Sequence, residues 1–279
     1  MTLSVAIISQ FKSSFLEKCL KSIINQTIIP RTVILVLHPD DRKSKTLINH
    51  FKKIHLQVSY LDLRGWAPLR NLALKENSSD LLYFVDDDCI LDKNAVRQAL
   101  IFFRKNSRYS AVQGKTENFN TSFYSQFAAW TNNLWLERLY DKKSKTLKSI
   151  DTKNVCFKRK AVQKYKFTEC LGSEDVDFGL QISQNGGKIG FEPKMLVFHH
   201  EQANDFLSYL KKRLRMAKGL GIVKKKWGNL TVFYEDKKTY VKKILTLYKK
   251  SKYFSSLKCR IVFNILLSLR QLRNFLEKY

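Results

Sequence analysis

The sequence predicts an α/β fold with a mostly parallel, doubly wound sheet flanked by helices. Strand-like and helix-like patterns alternate through the first half of the 279 residues, as they do where helical crossovers join parallel strands. Hydrophobic residues make up 44% of the chain and aromatic residues 13%, enough for one large core or two modest ones. Three aspartates also follow an apolar run directly, at the position where open α/β sheets bind ligands.

The first half supplies the alternating elements. Short apolar runs predict strands over residues 3–8, 32–37 and 56–61. Apolar residues at helical spacing predict helices over 15–24 and 42–53, between those strands. Each pair of strands is therefore joined by a helix, which favours parallel pairing.

The acidic run follows the fourth predicted strand. Residues 81–85 are apolar without interruption, which is typical of a buried strand, and Asp86, Asp87 and Asp88 come next. A hard divalent cation, Mg²⁺ or Mn²⁺, takes oxygen ligands from carboxylates and phosphates and would offset this charge. Taken alone, the run leaves a second interpretation equally open, in which the aspartates cap a helix that begins near Asp92.

The second half is less regular. Its pattern predicts a helix over 92–105, a strand over 109–113 and an aromatic-rich segment over 123–140. Ser173-Glu174-Asp175 opens an amphipathic stretch that stops at two glycines, as helices do.

Two histidines follow the last predicted strands. Two short apolar runs, 188–191 and 195–198, predict strands that lead directly to His199 and His200. Imidazole is a good ligand for ions such as Mn²⁺, so either histidine could join the acidic run in holding a metal. A histidine after an apolar strand can also be purely structural.

The charge of the chain is strongly basic and unevenly distributed. Lys and Arg number 51 against 24 Asp and Glu, a net charge of +27. Residues 201–279 hold 20 basic and 5 acidic residues, whereas residues 1–200 hold 31 and 19. A basic tail suits a polyanion, either nucleic acid or an anionic membrane surface, although solubility alone could also account for it.

Cysteine usage and the apolar segments indicate a cytoplasmic protein. Five cysteines, an odd number without CxxC spacing, argue against a disulfide framework and a zinc site and favour a reducing compartment. The amino terminus runs directly into a strand without the basic region of a secretory signal. The longest apolar stretch near the end, 261–269, is far shorter than the roughly 20 residues that span a bilayer.

Six segments in chain order resemble the family 2 glycosyltransferases of the GT-A fold. They are similar to that family's first strand and helix, its Gly-to-Arg-Asn segment, its DXD-type metal site, its acceptor-side strand, its catalytic Glu-Asp motif and its metal-side histidine. The resemblance covers roughly residues 3–220 and implies a Rossmann-like sheet. The segments are SVAIISQFKSSFLEKCLKSIINQT, RGWAPLRNLAL, FVDDDC, TKNVCFKRKAV, SEDVDFGLQI and PKMLVFHH.

The resemblance implies a metal site and a catalytic base. Asp88 would be the principal ligand of Mn²⁺ or Mg²⁺, with Asp86 at the ribose or the metal and His199 near the metal or the diphosphate; His200 competes for that role. Asp175 would take the proton of the acceptor hydroxyl. Glu174 is its neighbour in the motif, and either carboxylate could instead cap the helix.

Donor binding is expected at the ends of the first strands. The resemblance implies donor-binding roles for Ser9, Gln10, Asp40 and the pair Arg70-Asn71, besides Asp86. A UDP-sugar is the expected donor. The sequence has His38-Pro39-Asp40-Asp41 where the family usually has Asp-Asp-Gly-Ser, which leaves the base of the nucleotide open.

The second half is expected to bind the acceptor, a glycan or a lipid-linked glycan. Aromatic side chains could stack on a sugar or pack in the core; they are Phe123, Tyr124, Phe127, Trp130 and Trp135. Residues 206–226 and 257–276 have the pattern of basic amphipathic helices, which lie on an anionic leaflet or simply cover the sheet.

The sequence thus predicts a GT-A catalytic domain over 1–200, with a nucleotide-sugar half (1–115) and an acceptor half (116–200), and a basic helical extension over 201–279. The expected function is metal-dependent, inverting transfer of a hexosyl group in the synthesis of a surface polysaccharide or lipopolysaccharide, at the inner face of a membrane. A nucleotidyltransferase of related fold lacks support, because its glycine-rich phosphate loop is missing. Nucleic-acid binding is not expected, because no recognition motif accompanies the charge.

Overall fold

The computed structural model describes residues 1–11, 13–51, 53–63, 65–228, 245–246, 249 and 256–265. The chain divides into two compact units, Met1–Gly228 and Asn229–Tyr279. In the second unit residues 257–265 are helical and Cys259, Val262 and Phe263 are buried. The remainder of the helix predicted over 257–276 lies outside the described residues, and the predicted boundary after residue 200 stays a prediction.

Ten strands of the first unit form a single sheet. In chain order they are β1 (Leu3–Ser9), β2 (Thr32–Leu37), β3 (Leu56–Tyr60), β4 (Leu81–Asp86), β5 (Cys89–Leu91), β6 (Ala111–Asn118), β7 (Tyr140–Asp141), β8 (Thr146–Leu147), β9 (Asn154–Lys158) and β10 (Ile189–His199).

Eight helices among the described residues of the same unit accompany the sheet. They are α1 (Ser13–Ile24), α2 (Arg42–Ile48), α3 (Trp66–Glu76), α4 (Ala95–Lys105), α5 (Phe123–Leu139), α6 (Arg159–Val162), α7 (Glu174–Gln184) and α8 (Phe206–Trp227).

The strand order is β3-β2-β1-β4-β9-β6-β10-β8-β7, with β5 paired to β10. The first four strands in this order are mutually parallel, and β6 and β10 are also parallel to each other. Strand β9 is inserted antiparallel between β4 and β6. The predicted fold class, a mostly parallel α/β sheet flanked by helices, is confirmed. The carboxyl ends of β1, β2 and β4 consequently meet at one edge of the sheet.

Both faces of the sheet are buried, which explains the uninterrupted apolar runs. Successive residues of β4 point to opposite faces. Tyr83 and Val85 join a core that α1 and α4 complete, whereas Phe84 packs on the other face. There, Phe167 stacks on Phe178 of α7 at a centroid distance of 4.0 Å. Helix α7 is therefore fixed to the back of the strand that carries the acidic run.

Four predicted boundaries are wrong. The helix expected over 42–53 ends at Ile48, and a turn follows it. The strand expected over 109–113 is Ala111–Asn118, and the helix expected from Asp92 begins at Ala95 because β5 intervenes. The two short strands expected over 188–198 are one strand, β10. Glu192 and Leu196 of β10 pair with consecutive residues of β6, so residues 193–195 form a bulge in the strand. Pro193 has no N–H to donate to the ladder, which favours the bulge at this place.

Helix α8 closes the second half of the unit. It begins with a capping box, in which Asp205 accepts from the backbone N–H of Ser208. The buried Tyr209 packs against Phe127 of α5, and Arg213 donates to the carbonyl of Ala128. The prediction of a basic helix over 206–226 is confirmed to within one residue. Among the described residues, no helix is both long and apolar enough to cross a bilayer.

Candidate active site

The acidic run lies at the sheet edge and not at a helix start. Asp86 is the last residue of β4, while Asp87 and Asp88 form the turn into β5. Helix α4 starts only at Ala95, where the turn is made by Asp92, which accepts from the N–H of Asn94. The helix-cap interpretation of the run is therefore wrong.

The three carboxylates have different neighbours. Asp87 is buried and accepts a hydrogen bond of 2.7 Å from the Ser9 hydroxyl, which ties β1 to the turn. Asp88 Oδ1 lies 3.2 Å from Nε2 of His199. The carboxylate of Asp86 is 3.8 Å from the Arg70 guanidinium. Burial raises the pKa of Asp86; Arg70 opposes this shift and Asp88 adds to it.

His199, and not His200, faces the side chain of Asp88. The two histidines leave β10 in opposite directions because successive strand residues alternate. The His200 ring lies near the rings of Phe15 and Phe119, at 4.6 and 5.1 Å. Only its backbone N–H meets the acidic run, donating to the carbonyl of Asp88. His200 thus has an apolar environment, while His199 supplies a nitrogen beside a carboxylate.

Asp88 and His199 could supply two protein ligands to a divalent cation. Their facing atoms are 3.2 Å apart, a separation suited to two ligands of one ion, and their oxygen and nitrogen donors suit Mn²⁺. Within the described part of the chain, no group of three or more His, Cys, Asp or Glu side chains is arranged to hold a metal. The remaining ligands would come from outside the protein, as Mg²⁺ and Mn²⁺ sites completed by phosphate oxygens and water commonly do.

Arg70 connects the acidic run to the Glu174-Asp175 motif on α7. It is buried in α3, and its Nη1 donates to Glu174 Oε1 at 2.8 Å while Nη2 faces Asp86. A buried guanidinium with two carboxylate neighbours has a fixed orientation. The second oxygen of Glu174, Oε2, is buried and has no hydrogen-bond partner among the described residues. Glu174 therefore retains an acceptor for a ligand hydroxyl.

Asp175 has the electrostatic character of a base that works near neutrality. It lies in the first turn of α7, where Ser173 holds the cap position, so Asp175 is not the cap. Burial raises the pKa of Asp175 to about 7, with Asp151 and Glu174 adding to the shift and Arg70 and Lys153 opposing it. A general base is most effective when its pKa is near the working pH.

The structure adds a second charged pair that the sequence interpretation missed. Asp151 Oδ2 and Lys153 Nζ are 2.5 Å apart, and both side chains are largely buried. Burial would raise the pKa of Asp151, but Lys153 beside it outweighs that effect and keeps the pKa below its usual value. The pair stands just before β9, with Lys153 inside the segment TKNVCFKRKAV and Asp151 directly before it. The available signal was its position directly before the acceptor-side strand that the family resemblance implies.

A further pair comes from α8. Lys212 lies 2.5 Å from the buried Glu201, two residues after His199, and Gln202 donates to Asp88 Oδ2 at 3.0 Å. Burial lowers the pKa of Lys212, and Lys153 adds to that effect while Glu201 opposes it. Sequence spacing alone gave no sign that α8 would reach Glu201, beside the residue that hydrogen-bonds to Asp88.

The expected donor-binding residues lie along the edge formed by β1, β2 and α3. Ser9 is bound to Asp87, and Gln10 donates to the carbonyl of Gly65 at 3.4 Å. Asp40, just beyond β2, has an 84% exposed side chain beside His38. The amide of Asn71 makes two hydrogen bonds with the backbone of Phe167, which clamps the loop before α7. The donor roles of these residues stay predictions.

The expected acceptor aromatics divide by burial. Phe127 of α5 is fully buried against Tyr209 of α8, so it is a core residue. The other four aromatic residues of the predicted set are partly exposed and stay candidates for stacking: Phe123, Tyr124, Trp130 and Trp135.

Comparisons with known proteins agree with this architecture. PcManGT, a mannosyltransferase from Pyrobaculum calidifontis solved with GDP-Man and Mn²⁺, is 18% identical with a TM-score of 0.62, over 78% of this chain and 61% of its own. S. aureus TarS 1-349 in complex with UDP-GlcNAc is 16% identical with a TM-score of 0.58, over 78% and 66%. Full S. aureus TarS is matched over 39% of its length, with a TM-score of 0.57 and 19% identity.

These similarities establish the GT-A type of fold. No curated protein matches the chain by sequence. The profile described as "Glycosyltransferase like family 2" matches residues 2–219, which include every strand of the sheet and the residues of the candidate site. The chain therefore belongs to glycosyltransferase family 2.

Proposed function

We propose that the protein is a metal-dependent, inverting glycosyltransferase that moves a hexosyl group from a nucleoside-diphosphate sugar to a glycan or lipid-linked acceptor. The observation that carries the proposal is the meeting, at one sheet edge, of the Asp88–His199 pair with the Arg70–Glu174 bridge and Asp175. The first arrangement suits a diphosphate with its cation, and the second suits proton abstraction from a hydroxyl.

Asp175 acts as the general base in this proposal. As the acceptor oxygen attacks the anomeric carbon, its O–H proton passes to the Asp175 carboxylate. The bond from the anomeric carbon to the phosphate oxygen breaks, and the diphosphate leaves with the electron pair. Attack from the face opposite the leaving group inverts the anomeric carbon. A carboxylate with a pKa of about 7 is a stronger base than an ordinary aspartate.

Asp88 and His199 would hold Mn²⁺ or Mg²⁺, with Asp86 as a further candidate. When bound, the cation would offset the charge that gathers on the leaving diphosphate. Arg70 lies between Asp86 and Glu174 and holds both carboxylates at fixed positions. The second oxygen of Glu174, Oε2, can accept a hydrogen bond from a substrate hydroxyl. UDP-GlcNAc and GDP-Man, found with the structural neighbours, are the first donors to test, and a UDP-sugar is the donor we expect.

We further propose that the enzyme works at the inner face of a membrane, in surface polysaccharide or lipopolysaccharide synthesis. The outward face of α8 supports this proposal. Leu207, Leu214 and Ile222 are 57%, 49% and 40% exposed on it, and Lys211 and Lys218 are exposed between them. Apolar side chains interleaved with cations are typical of helices that lie on anionic leaflets.

The direct test is turnover of a panel of nucleotide sugars with and without Mn²⁺. The proposal predicts metal-dependent release of a nucleoside diphosphate from at least one of them, increased by an acceptor. Steeply salt-dependent binding of DNA without any turnover would instead support the nucleic-acid-binding alternative. Synthesis of a nucleotide sugar from a nucleoside triphosphate and a sugar phosphate, with release of pyrophosphate, would support a nucleotidyltransferase.

A further inference from the structure

Lys153 and Asp151 occupy a defined position between the donor side and the base. Val85 of β4 pairs with Asn154 of β9, so the antiparallel register sets Lys153 opposite Asp86 at the edge of the sheet. The charge of Lys153 acts on both Asp86 and Asp175. The pair therefore lies beside the space between the carboxylate nearest the donor and the carboxylate proposed to receive the proton.

A buried polar network holds this pair in place. Gln113 accepts from the N–H of Asp151 at 2.8 Å and donates to the carbonyl of Asn154 at 2.9 Å. The Asn154 amide donates to the carbonyls of Lys115 and Met195 and accepts from the hydroxyl of Tyr83. Every one of these contacts ties the loop to a neighbouring strand. Such anchoring fixes a charged pair more firmly than a surface ion pair is fixed.

The chemistry of the pair matches a polyol. An ammonium group donates up to three hydrogen bonds and a carboxylate accepts several, so the two together can bind adjacent hydroxyl groups that each donate and accept. The side chains of Lys153 and Asp151 keep 18% and 12% of their surface exposed, so they can be reached from the site. Burial would lower the pKa of Lys153, but Asp151 and Asp86 outweigh this effect and keep it protonated.

We infer that Asp151 and Lys153 form the subsite that binds the hydroxyl groups of the hexosyl unit being transferred. The inference rests on the proposed function and adds a group to it, because the pair acts on the sugar and not on the nucleotide. Loss of the pair should therefore remove the part of the donor affinity that comes from the sugar and leave the nucleotide part unchanged.

The experiment measures calorimetric affinities of the full chain, with Mn²⁺, for matched ligands: UDP and UDP-GlcNAc, UDP and UDP-glucose, and GDP and GDP-mannose. The main variant replaces both residues, Asp151→Asn with Lys153→Met, because a single replacement leaves an unpaired buried charge. Its matched control is Glu117→Gln with Lys115→Met, which removes the exposed Lys115–Glu117 pair on β6. Thermal melting of both variants checks that the fold is retained.

The expected result is that the sugar of the preferred donor improves the affinity of the wild type and the control over the free diphosphate. In the double variant that improvement should be about 10-fold smaller, which is roughly the loss of one or two hydrogen bonds. Its affinity for the free diphosphate should stay within about 2-fold of the wild-type value.

Three results would overturn the inference. In one, the double variant keeps the full difference between sugar nucleotide and diphosphate. In another, it loses both affinities equally. In the third, both affinities stay at the wild-type values while the pH profile of transfer, measured on the same variants, shifts, which means that the pair merely tunes Asp175. If the wild type binds no diphosphate and no sugar nucleotide, the proposed function itself fails, and that result is separate from the other three.

Discussion

At the scale of single residues, the proposed function divides the site into side chains that would contact ligands and side chains that hold those side chains in place. Asp88, in the turn between β4 and β5, faces His199 at the end of β10. Asp87 is instead hydrogen-bonded to Ser9, which connects this turn to β1. Adjacent carboxylates therefore have different tasks. The sequence predicts that the three aspartates form a cluster, but their individual roles depend on which way each side chain turns, and this is decided by contacts with β1 and β10.

Asp88 is the residue whose loss should affect metal dependence most. Asp88→Asn keeps the shape of the side chain but removes the charge beside His199. We expect the rate of sugar transfer to fall by about 100-fold or more and the concentration of Mn²⁺ needed for half-maximal activity to rise. Asp87→Asn is the comparison, since Asp87 is bound to Ser9, and it should retain most of the metal response. Equal losses in the two variants would contradict the assigned division.

Asp175 should control the pH dependence of transfer. Its carboxylate must be ionised to accept a proton, so kcat/KM should rise with pH and level off above an apparent pKa of about 7. Asp175→Asn should lower the rate by roughly 100- to 10,000-fold without changing donor affinity. A variant that transfers sugar normally would rule out Asp175 as the base.

The same residue should also affect stability. The pKa of Asp175 is raised in the folded state, so the folded protein gains from the protonated form, and this stability is lost as pH rises from about 4 to about 7. Asp175→Asn should therefore be more stable than the wild type at pH 8, and the difference should disappear below about pH 4. Chemical denaturation at several pH values measures it.

At the scale of elements, helix α7 is held by its own contacts and by α8. Asp177 of α7 is buried and accepts from Lys226 at 2.8 Å and from the indole of Trp227 at 2.6 Å. Burial would raise the pKa of Asp177, but the hydrogen bonds from Lys226, Thr168 and Trp227 outweigh it and hold the pKa low. The last turn of α8 thereby fixes the helix that begins with Glu174 and Asp175.

Asp177→Ala should destabilise the first unit. Four side-chain donors, on Thr168, Gln181, Lys226 and Trp227, lose a charged acceptor. The free energy of unfolding should therefore fall by about 2 kcal/mol. Asp141→Ala is the control, since Asp141 is exposed and serves only a surface turn; it should change stability by less than about 0.5 kcal/mol. Urea unfolding compares the two. An unchanged free energy in Asp177→Ala would show that α8 does not support α7.

The elements also show how far sequence patterns reach. The strands β1 to β4 and the helix over 206–226 could be predicted because their apolar periodicity is continuous. Strand β10 could not, since Pro193 interrupts its pattern while the strand continues beyond the bulge. The pairs Asp151–Lys153 and Glu201–Lys212 were also missed, because only the arrangement of the elements in space brings β9 beside β4 and α8 to Glu201.

At the scale of the whole molecule, the net charge of +27 would be offset by an anionic partner or surface, and unbalanced charge costs stability through self-repulsion. If α8 binds the membrane, removing its exposed cations should weaken vesicle binding more than removing the same number of cations from another helix. Lys211→Gln with Arg215→Gln and Lys218→Gln should weaken partitioning onto vesicles that contain phosphatidylglycerol by roughly 100-fold, because each cation near the surface contributes about 1 kcal/mol.

The control for that measurement removes the same charge from another helix, as Arg97→Gln with Arg104→Gln and Lys105→Gln on α4. It should bind vesicles within about 3-fold of the wild type. Equal weakening in both triple variants would indicate attraction without an oriented surface, and no weakening in either would show that α8 is not the docking helix.

The central claim is that this sheet edge binds a nucleoside-diphosphate sugar together with a divalent cation. It is tested most directly by thermal melting of the full chain with a panel of nucleotide sugars, each with and without Mn²⁺. Because a ligand that binds the native state raises its stability, at least one nucleotide sugar should raise Tm with Mn²⁺ and much less without it, and Asp88→Asn should lose the metal-dependent part. Failure of every nucleotide diphosphate and nucleotide sugar to raise Tm in the presence of Mn²⁺ would contradict the claim.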